Sequence, residues 1–458
     1  MSTEGALNTR TIVRFWLPLA ATWLMMSAEG PYLAAVIARL PDATYNLGAY
    51  GAAFAIAWLA ESPIMMLLTA ANALIHGRQS FIATRQFAYR LNALVTSVML
   101  IVVAPPVFNA IAYSVMGLPA EVAARLHLAI AILIPWPAAI GYRRFYQGVL
   151  VRHGQTRRVA YGTVIRIVVM SAVAAIVATT TSAHGSTVAA FALSSGVIAE
   201  ACVSRWMARH AVAAMLDGTF GKDDEPLTQS AIIKFYTPLA LTSMIAMVTA
   251  PILTFFMGRG RMPIESLAVL PVVNNLVFMF RSGGVAFQDV SVALSGRHHE
   301  HQHEVGRAAF LLASVTTALL VLLLFTPLAG IWLQDVAGLP PDLYDYAITT
   351  ARIIVVLPAI EYFLSFQRSQ FIINRQTTVI TMSMAIEVTL IGAMLVLCIA
   401  QLGMVGAIAA SCSIVTGRVA SSTYLYVSSR AAATSRRSRP GGRPDERFVL
   451  PTPPEPES

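Results

Sequence analysis

Long apolar stretches alternate with short polar breaks along almost the whole chain. Reading the runs between breaks predicts helices near 13–37, 47–74, 88–112, 123–147, 160–181, 187–208, 232–257, 264–292, 307–333, 347–371, 378–400 and 403–426. Each matches the roughly 20 apolar residues that cross the hydrocarbon layer of a bilayer, so the pattern predicts twelve transmembrane helices. No segment alternates apolar and polar positions in repeated ten-residue units, which disfavours a membrane barrel. Lipid offers no partners for backbone polar groups, and helices satisfy them internally. The predicted fold class is an all-α polytopic membrane protein.

The pattern repeats. Ile12 to Arg39 aligns without a gap on Ile232 to Arg259, with nine of 28 positions identical, including Pro18 with Pro238 and Pro31 with Pro251. An offset near 220 recurs downstream: Gly117-Leu118-Pro119 meets Gly338-Leu339-Pro340, Pro137 meets Pro358, Gln155-Thr156 meets Gln376-Thr377, and Gly196 meets Gly417. A shared offset at several separated places marks two repeats of six helices. Six is even, so both repeats enter the membrane from the same side, as in parallel-repeat transporters. The expected organisation is an N-terminal lobe over 1–209, a polar linker over 210–230, a C-terminal lobe over 231–426 and a tail over 427–458. That tail is rich in Arg, Pro and Ser and too poor in apolar residues to fold; its basic half suits anionic lipid headgroups.

Composition agrees: 56% of the 458 residues are hydrophobic and 12% charged, against roughly 25% charged in soluble domains. A soluble protein is excluded. The net charge of +9 comes from 30 arginines and two lysines against 23 carboxylates, and it reads as membrane topology rather than nucleic-acid binding. Basic residues gather in one set of loops, through Arg78, Arg85 and Arg90; Arg143, Arg144, Arg152, Arg157 and Arg158; Arg205, Arg209 and Lys222; Arg297 and Arg307; and Arg368 and Arg375. The alternate loops carry chiefly Arg39, Arg125, Arg259 and Arg261. By the positive-inside rule both termini are cytoplasmic, and the compact loops suggest a bacterial plasma membrane. The first apolar segment is long, contains Glu29 and reads as a spanning helix rather than a cleaved leader.

Ionised side chains inside a bilayer are costly and usually face a cavity or a partner. This chain places Glu29, Glu61, Glu200, Asp289, Glu361 and Glu387 inside spans, together with Arg166, Arg281 and Arg418. These are the candidate substrate-binding or ion-coupling residues. Glu61 and Arg281 are repeat-equivalent, as are Arg166 and Glu387, so opposite charges occupy matching places and could pair across a central cleft. Arg281 and Asp289 share one face of their helix, with Gln288 beside it. Glu29 is followed by Gly30-Pro31 and Glu61 by Ser62-Pro63, so each carboxylate sits where proline invites a kink. Pro31, Pro63 and Pro251 are the candidate hinges, and a carboxylate at a hinge is a candidate protonation switch.

Other chemistry is thinly represented. His299 and His303 in the run Arg297 to Glu304 have a helical spacing that zinc could use, but without a third ligand they form only a weak metal candidate. Cys202, Cys398 and Cys412 give neither a disulfide framework nor a metal spacing. Gly221-Lys222 is followed by Asp223, so there is no phosphate-binding loop and no ATP-driven pump within the chain. No nucleophile elbow or paired-His signature occurs, and an enzyme is not expected.

The opening RFWLPLA…EGP, then LGAYGAAFAIA, AESPIMMLLTAANAL and RRFYQGVLVRHGQT with Arg166 ten residues on, resembles the multidrug/oligosaccharidyl-lipid/polysaccharide (MOP) exporter superfamily. Gln147 to Thr156 is similar to its multidrug and toxic compound extrusion (MATE) branch, while Ala49-Tyr50-Gly51 and Glu29 resemble the progressive ankylosis branch, exporters linked to pyrophosphate, citrate and nucleotides. The resemblance implies a V-shaped bundle of two six-helix lobes working by alternating access, with Glu29 as the coupling carboxylate.

The expected function is a secondary exporter of a small anionic or amphiphilic solute, coupled to H⁺ or Na⁺. The arginines favour an anion because guanidinium forks bind carboxylate and phosphate bidentately. The alternatives are a lipid-linked flippase of the same fold, a cationic multidrug pump, and a non-transporting receptor or scaffold. The expected partners are the substrate and the lipid bilayer, with no nucleic acid and no cofactor beyond the coupling ion; a monomer is the simplest assembly.

Overall fold

The computed structural model describes residues 8–116, 119–218, 227–257, 260–295, 301–337, 339 and 341–437. The first repeat contains α1 (Thr9–Ala38), α2 (Ala43–Glu61), α3 (Leu67–Leu74), α4 (Arg78–Val103), α5 (Pro105–Asn109), α6 (Ala120–Leu133), α7 (Pro135–Arg152), α8 (Thr156–Thr180), α9 (Gly185–Met207) and α10 (Arg209–Leu216). The second contains α11 (Gln229–Met257), α12 (Pro263–Leu294), α13 (Gln302–Leu324), α14 (Leu328–Gly330), α15 (Tyr344–Ile353), α16 (Leu357–Ile373), α17 (Thr377–Val396) and α18 (Gly406–Arg437). Among the described residues no strand forms, and eleven helical segments are long and apolar enough to cross a membrane. The twelfth expected span lies in α18, which is long enough but carries Arg418 and serines at 411, 413, 421 and 422. The protein is an all-α polytopic membrane protein.

Several boundaries differ from the hydropathy reading. Arg78, Arg85 and Arg90 lie within α4, and Arg143 and Arg144 are buried in α7 rather than placed in a loop. Arg368 is likewise buried in α16. Arg90, Arg143, Arg144 and Arg368 also fall inside the apolar runs 88–112, 123–147 and 347–371, and counting them as loop cations overlooks that a helix keeps a cation that finds a partner inside the protein. At the far end, α18 runs to Arg437, ten residues beyond the expected start of the tail at 427.

Prolines act unevenly. Pro63 lies in a 3₁₀ turn, Ser62–Ile64, that separates α2 from α3. Pro31 and Pro251 instead lie within the uninterrupted α1 and α11. Pro135 opens α7 where α6 ends, and Pro358 opens α16 after a 3₁₀ turn, so the fourth and tenth spans are broken at related places.

The repeat extends to backbone detail. Wider π-helical turns occur at Ala110–Val115 and Ile331–Val336. Gly154 and Arg375 both close a helix in the left-handed conformation, with φ of 73° and 58°. In both places the next amide reaches back into the preceding helix, Gln155 N to Leu150 O at 2.8 Å and Gln376 N to Phe371 O at 2.8 Å, the arrangement that satisfies terminal carbonyls at a helix end.

The described helices gather into two compact units, Met25–Lys234 and Met1–Leu24 with Phe235–Thr452. The division falls inside α1 and α11. In the second unit Trp16 of α1 donates to the Gly283 carbonyl at 2.8 Å. In the first, Gln229 of α11 donates to the Ala83 carbonyl at 2.9 Å. Within each unit the last two spans pack face to face, α8 on α9 and α17 on α18. Lipid supplies little hydrophobic drive between helices, so close packing on small residues carries such contacts. Gly196 supplies one: a methyl there would lie 2.9 Å from the Arg166 carbonyl. Gly417 supplies its counterpart, 2.8 Å from the Glu387 carbonyl.

Candidate functional site

Those two glycines bring α9 and α18 against the helices that carry Arg166 and Glu387, and a cluster of buried charges forms around each. In the first unit Arg166 donates Nε to Glu29 Oε1 at 2.7 Å, and its Nη2 is also paired with that oxygen. Its Nη1 faces Glu200 Oε2 at 3.4 Å. Glu200 is fully buried and is the hub: Arg143 Nη1 reaches Oε2 at 2.5 Å, while Gln147 Nε2 and Thr163 Oγ1 donate to Oε1 at 3.1 and 3.0 Å. Four side chains from α7 and α8 therefore converge on one carboxylate. Removing two charges from water is repaid only when such bonds fill their remaining hydrogen-bonding capacity.

Glu61, at the end of α2, is 3% exposed and has no ion-pair or hydrogen-bond partner among the described residues. The charges acting on it most strongly are those of Arg144, Arg143 and Arg166, in that order. Arg144 Nη2 itself lies 3.4 Å from the Met65 sulfur.

In the second unit Arg281 of α12 grips Glu361 Oε2 of α16 through Nε and Nη2, at 3.1 and 2.5 Å. Arg418 of α18 bridges two carboxylates, with Nη1 at 3.3 Å from Glu361 Oε2 and Nε at 2.9 Å from Glu387 Oε1. Arg368 of α16 lies 3.7 Å from Glu387 Oε2 through Nη2. Asp289 is buried two turns along α12 from Arg281.

The structure thus brings Glu29, Arg166 and Glu200 together in one cluster, and Arg281, Glu361, Glu387 and Arg418 in the other. Within its own unit, Arg281 is held by Glu361, Arg166 by Glu29 and Glu200, and Glu387 by Arg418 and, more loosely, Arg368. Arg166 and Glu387 thus occupy equivalent positions with opposite charges and each joins a network within its own repeat. Sequence reasoning missed Arg143, Gln147, Thr163 and Arg368 as members. For Gln147 and Arg368 a signal was available in the repeat, since they stand 221 residues apart, the same offset as Arg166 and Glu387; Arg143 and Thr163 meet Leu364 and Met384 at that offset and carry none.

The metal candidate gains no support from geometry. His299 lies outside the described residues, and His303 is exposed in the first turn of α13. Among the described residues no three His, Cys, Asp or Glu side chains gather as a metal site. Cys202, Cys398 and Cys412 are free thiols.

No protein-family model matches the chain, and no curated protein matches it in sequence. Solved structures do match it. One is a MOP superfamily transporter from Pyrococcus furiosus Vc1 (DSM3638), described as having a binding pocket of reverse polarity that suggests a different function; identity is 14%, coverage 95% of this chain and 99% of that one, and the TM-score 0.73. A multidrug resistance MATE family transporter in an outward-facing conformation matches at 14% identity over 93% and 96% of the two chains, with a TM-score of 0.70. A MATE structure in a bent conformation matches at 15% identity over 94% and 96%, with a TM-score of 0.69. The fold is that of the MATE transporters of the MOP superfamily. The ankylosis-like branch rests on Ala49-Tyr50-Gly51 and Glu29 alone.

Proposed function

We propose that the protein is a secondary active transporter that exports a small anionic or amphiphilic solute by alternating access coupled to H⁺ or Na⁺. The observation that carries this reading is a pair of buried ion networks inside membrane-spanning helices, one in each unit, built on the fold of known transporters. Together the two networks place ionised side chains on eight helices, a costly arrangement that usually marks a substrate or ion pathway. The Pyrococcus furiosus structure is described as having a binding pocket of reverse polarity that suggests a different function, so the fold is compatible with pockets of more than one polarity.

The two acids of the first cluster have unequal holds. Glu200 receives four donors, whereas Glu29 is held by Arg166 alone among the described residues. Taking up a proton at Glu29 removes the charge that holds the Arg166 Nε edge, and Arg166 then keeps only its longer contact with Glu200. Glu29 therefore acts as the coupling group, Glu61 as a second cation-accepting carboxylate in the field of three arginines, and Glu200 as the anchor. Both termini are cytoplasmic in this reading, and the membrane is a bacterial plasma membrane.

Proteoliposomes under an imposed pH or Na⁺ gradient test it, with citrate, pyrophosphate, a cationic dye and a fluorescent lipid as cargo. The expected result is gradient-driven movement of an anion, lost in Glu29→Gln and Arg281→Ala. Movement of the dye alone would make the protein a multidrug pump, and lipid scrambling without anion uptake would make it a flippase. No movement of any cargo would favour the receptor or scaffold reading.

A further inference from the structure

The two clusters differ in charge balance. In the first unit Glu29, Glu61 and Glu200 face Arg143, Arg144 and Arg166, three against three. In the second, the ion pairs of Arg281, Arg368 and Arg418 among the described residues are with Glu361 and Glu387. Asp289 is not among the charges acting most strongly on Arg368, which are Glu387, Arg418, Glu361 and Arg281. Three arginines there share two carboxylates.

The most loosely held of the three is Arg368. The residue is 8% exposed, and its Nε and Nη2 are buried without a hydrogen bond. These two atoms form the side-on edge of the guanidinium, the fork that meets two oxygens of a carboxylate or phosphate at once. Glu387 pairs with that fork only loosely: its Oε1 is taken by Arg418 at 2.9 Å, and its Oε2, itself buried without a hydrogen bond, stays 3.7 Å from Arg368 Nη2. A loosely filled fork on a buried cation is costly to keep. Its repeat counterpart, Gln147, is neutral and donates to Glu200 at 3.1 Å, so the second repeat has gained a cation where the first has an amide. The Arg281 and Arg418 side chains in the same cluster are 17% and 18% exposed, against 10% for that of Arg368.

We infer that the cluster of the second unit is an oxyanion-binding site in which Arg368 takes the carboxylate or phosphate group of the solute, with Arg418 and Arg281 beside it. The inference deepens the transporter reading and rests on it for the word solute, while the binding chemistry stands on the cluster itself. The first cluster, already balanced, is left to the coupling ion.

The test is equilibrium binding of radiolabelled citrate and of radiolabelled pyrophosphate to the full-length protein in nanodiscs, at constant ionic strength in chloride. The wild type is expected to bind at least one of them, and which one separates carboxylate from phosphate. Arg368→Gln is expected to weaken that binding at least tenfold, and Arg368→Lys, which keeps the charge and loses the fork, by a smaller factor. Arg125→Gln, at an unrelated pair with Asp42, is the control and should leave it unchanged. If neither anion binds the wild type, or Arg368→Gln binds as tightly as the wild type, the site is overturned. Should Arg368→Gln aggregate, Arg368→Lys decides alone, since unchanged affinity there removes the fork from the argument. Anion transport by the wild type with undiminished binding in the variant would overturn this site and leave the transporter standing. Fork-dependent binding with no solute moved would do the reverse.

Discussion

At the scale of the residue, the decisive fact is how unevenly the buried charges are held. Glu200 combines full burial with contacts from Arg143, Arg166, Gln147 and Thr163. Breaking a buried pair by neutralising one member costs about 3–5 kcal/mol, because the remaining charges lose their compensation. Glu200→Gln is therefore expected to lower the thermal melting point in detergent strongly. Thr163→Val removes one hydrogen bond to a charged group, worth about 1.5–3 kcal/mol, and should lower it less. Equal melting of Glu200→Gln and wild type would show that the network does not hold the first unit together. Composition and hydropathy made Glu29, Glu200, Glu361 and Arg418 legible as intramembrane charges. The same reading assigned Arg143 and Arg368 to loops, because a sequence window cannot tell a cation that ends a helix from one that a distant carboxylate keeps inside it.

At the scale of the element, the repeat reaches from sequence identity to backbone geometry. Gly196 and Gly417 each let one helix lie on the carbonyl of the charged residue that organises its cluster. Adding a methyl at Gly417 would bring it 2.6 Å from Ile391 Cγ1 and 2.8 Å from the Glu387 carbonyl, so α17 and α18 must separate. Overpacking of this kind costs about 1–3 kcal/mol, and Gly417→Ala and Gly196→Ala are both expected to lower the melting point. A Gly417→Ala protein as stable as the wild type would show that this contact yields freely. The breaks at Pro63, Pro135 and Pro358 follow from the missing amide hydrogen and the ring's clash with the preceding turn. Pro31 and Pro251 carry the same chemistry inside continuous helices. A proline in sequence thus marks a weak point in the hydrogen-bond ladder, and whether the helix parts there is decided by what packs around it.

At the scale of the whole molecule, orientation can be tested directly. In the proposed topology the Asp42 loop is extracellular and the end of α18 cytoplasmic. With Cys202, Cys398 and Cys412 replaced by serine, a membrane-impermeant maleimide applied to intact cells should label Asp42→Cys and leave Arg430→Cys unlabelled; the opposite pattern would invert the topology. The sequence by itself determined the all-α membrane class, the spans and the six-helix repeat. These follow from the length of apolar runs and from self-similarity, properties that a one-dimensional string carries in full. Tertiary structure alone decided which charges meet. Arg281 could face Glu61, its repeat counterpart, or Glu361, 80 residues away, and only the packing of α12 against α16 selects the second. It alone also showed that α1 and α11 divide between the two units, and that the Arg368 fork lies 3.7 Å from a Glu387 oxygen with neither atom hydrogen-bonded. A charge's partner is a matter of angstroms in space, and spacing along the chain fixes that distance only within a single helix.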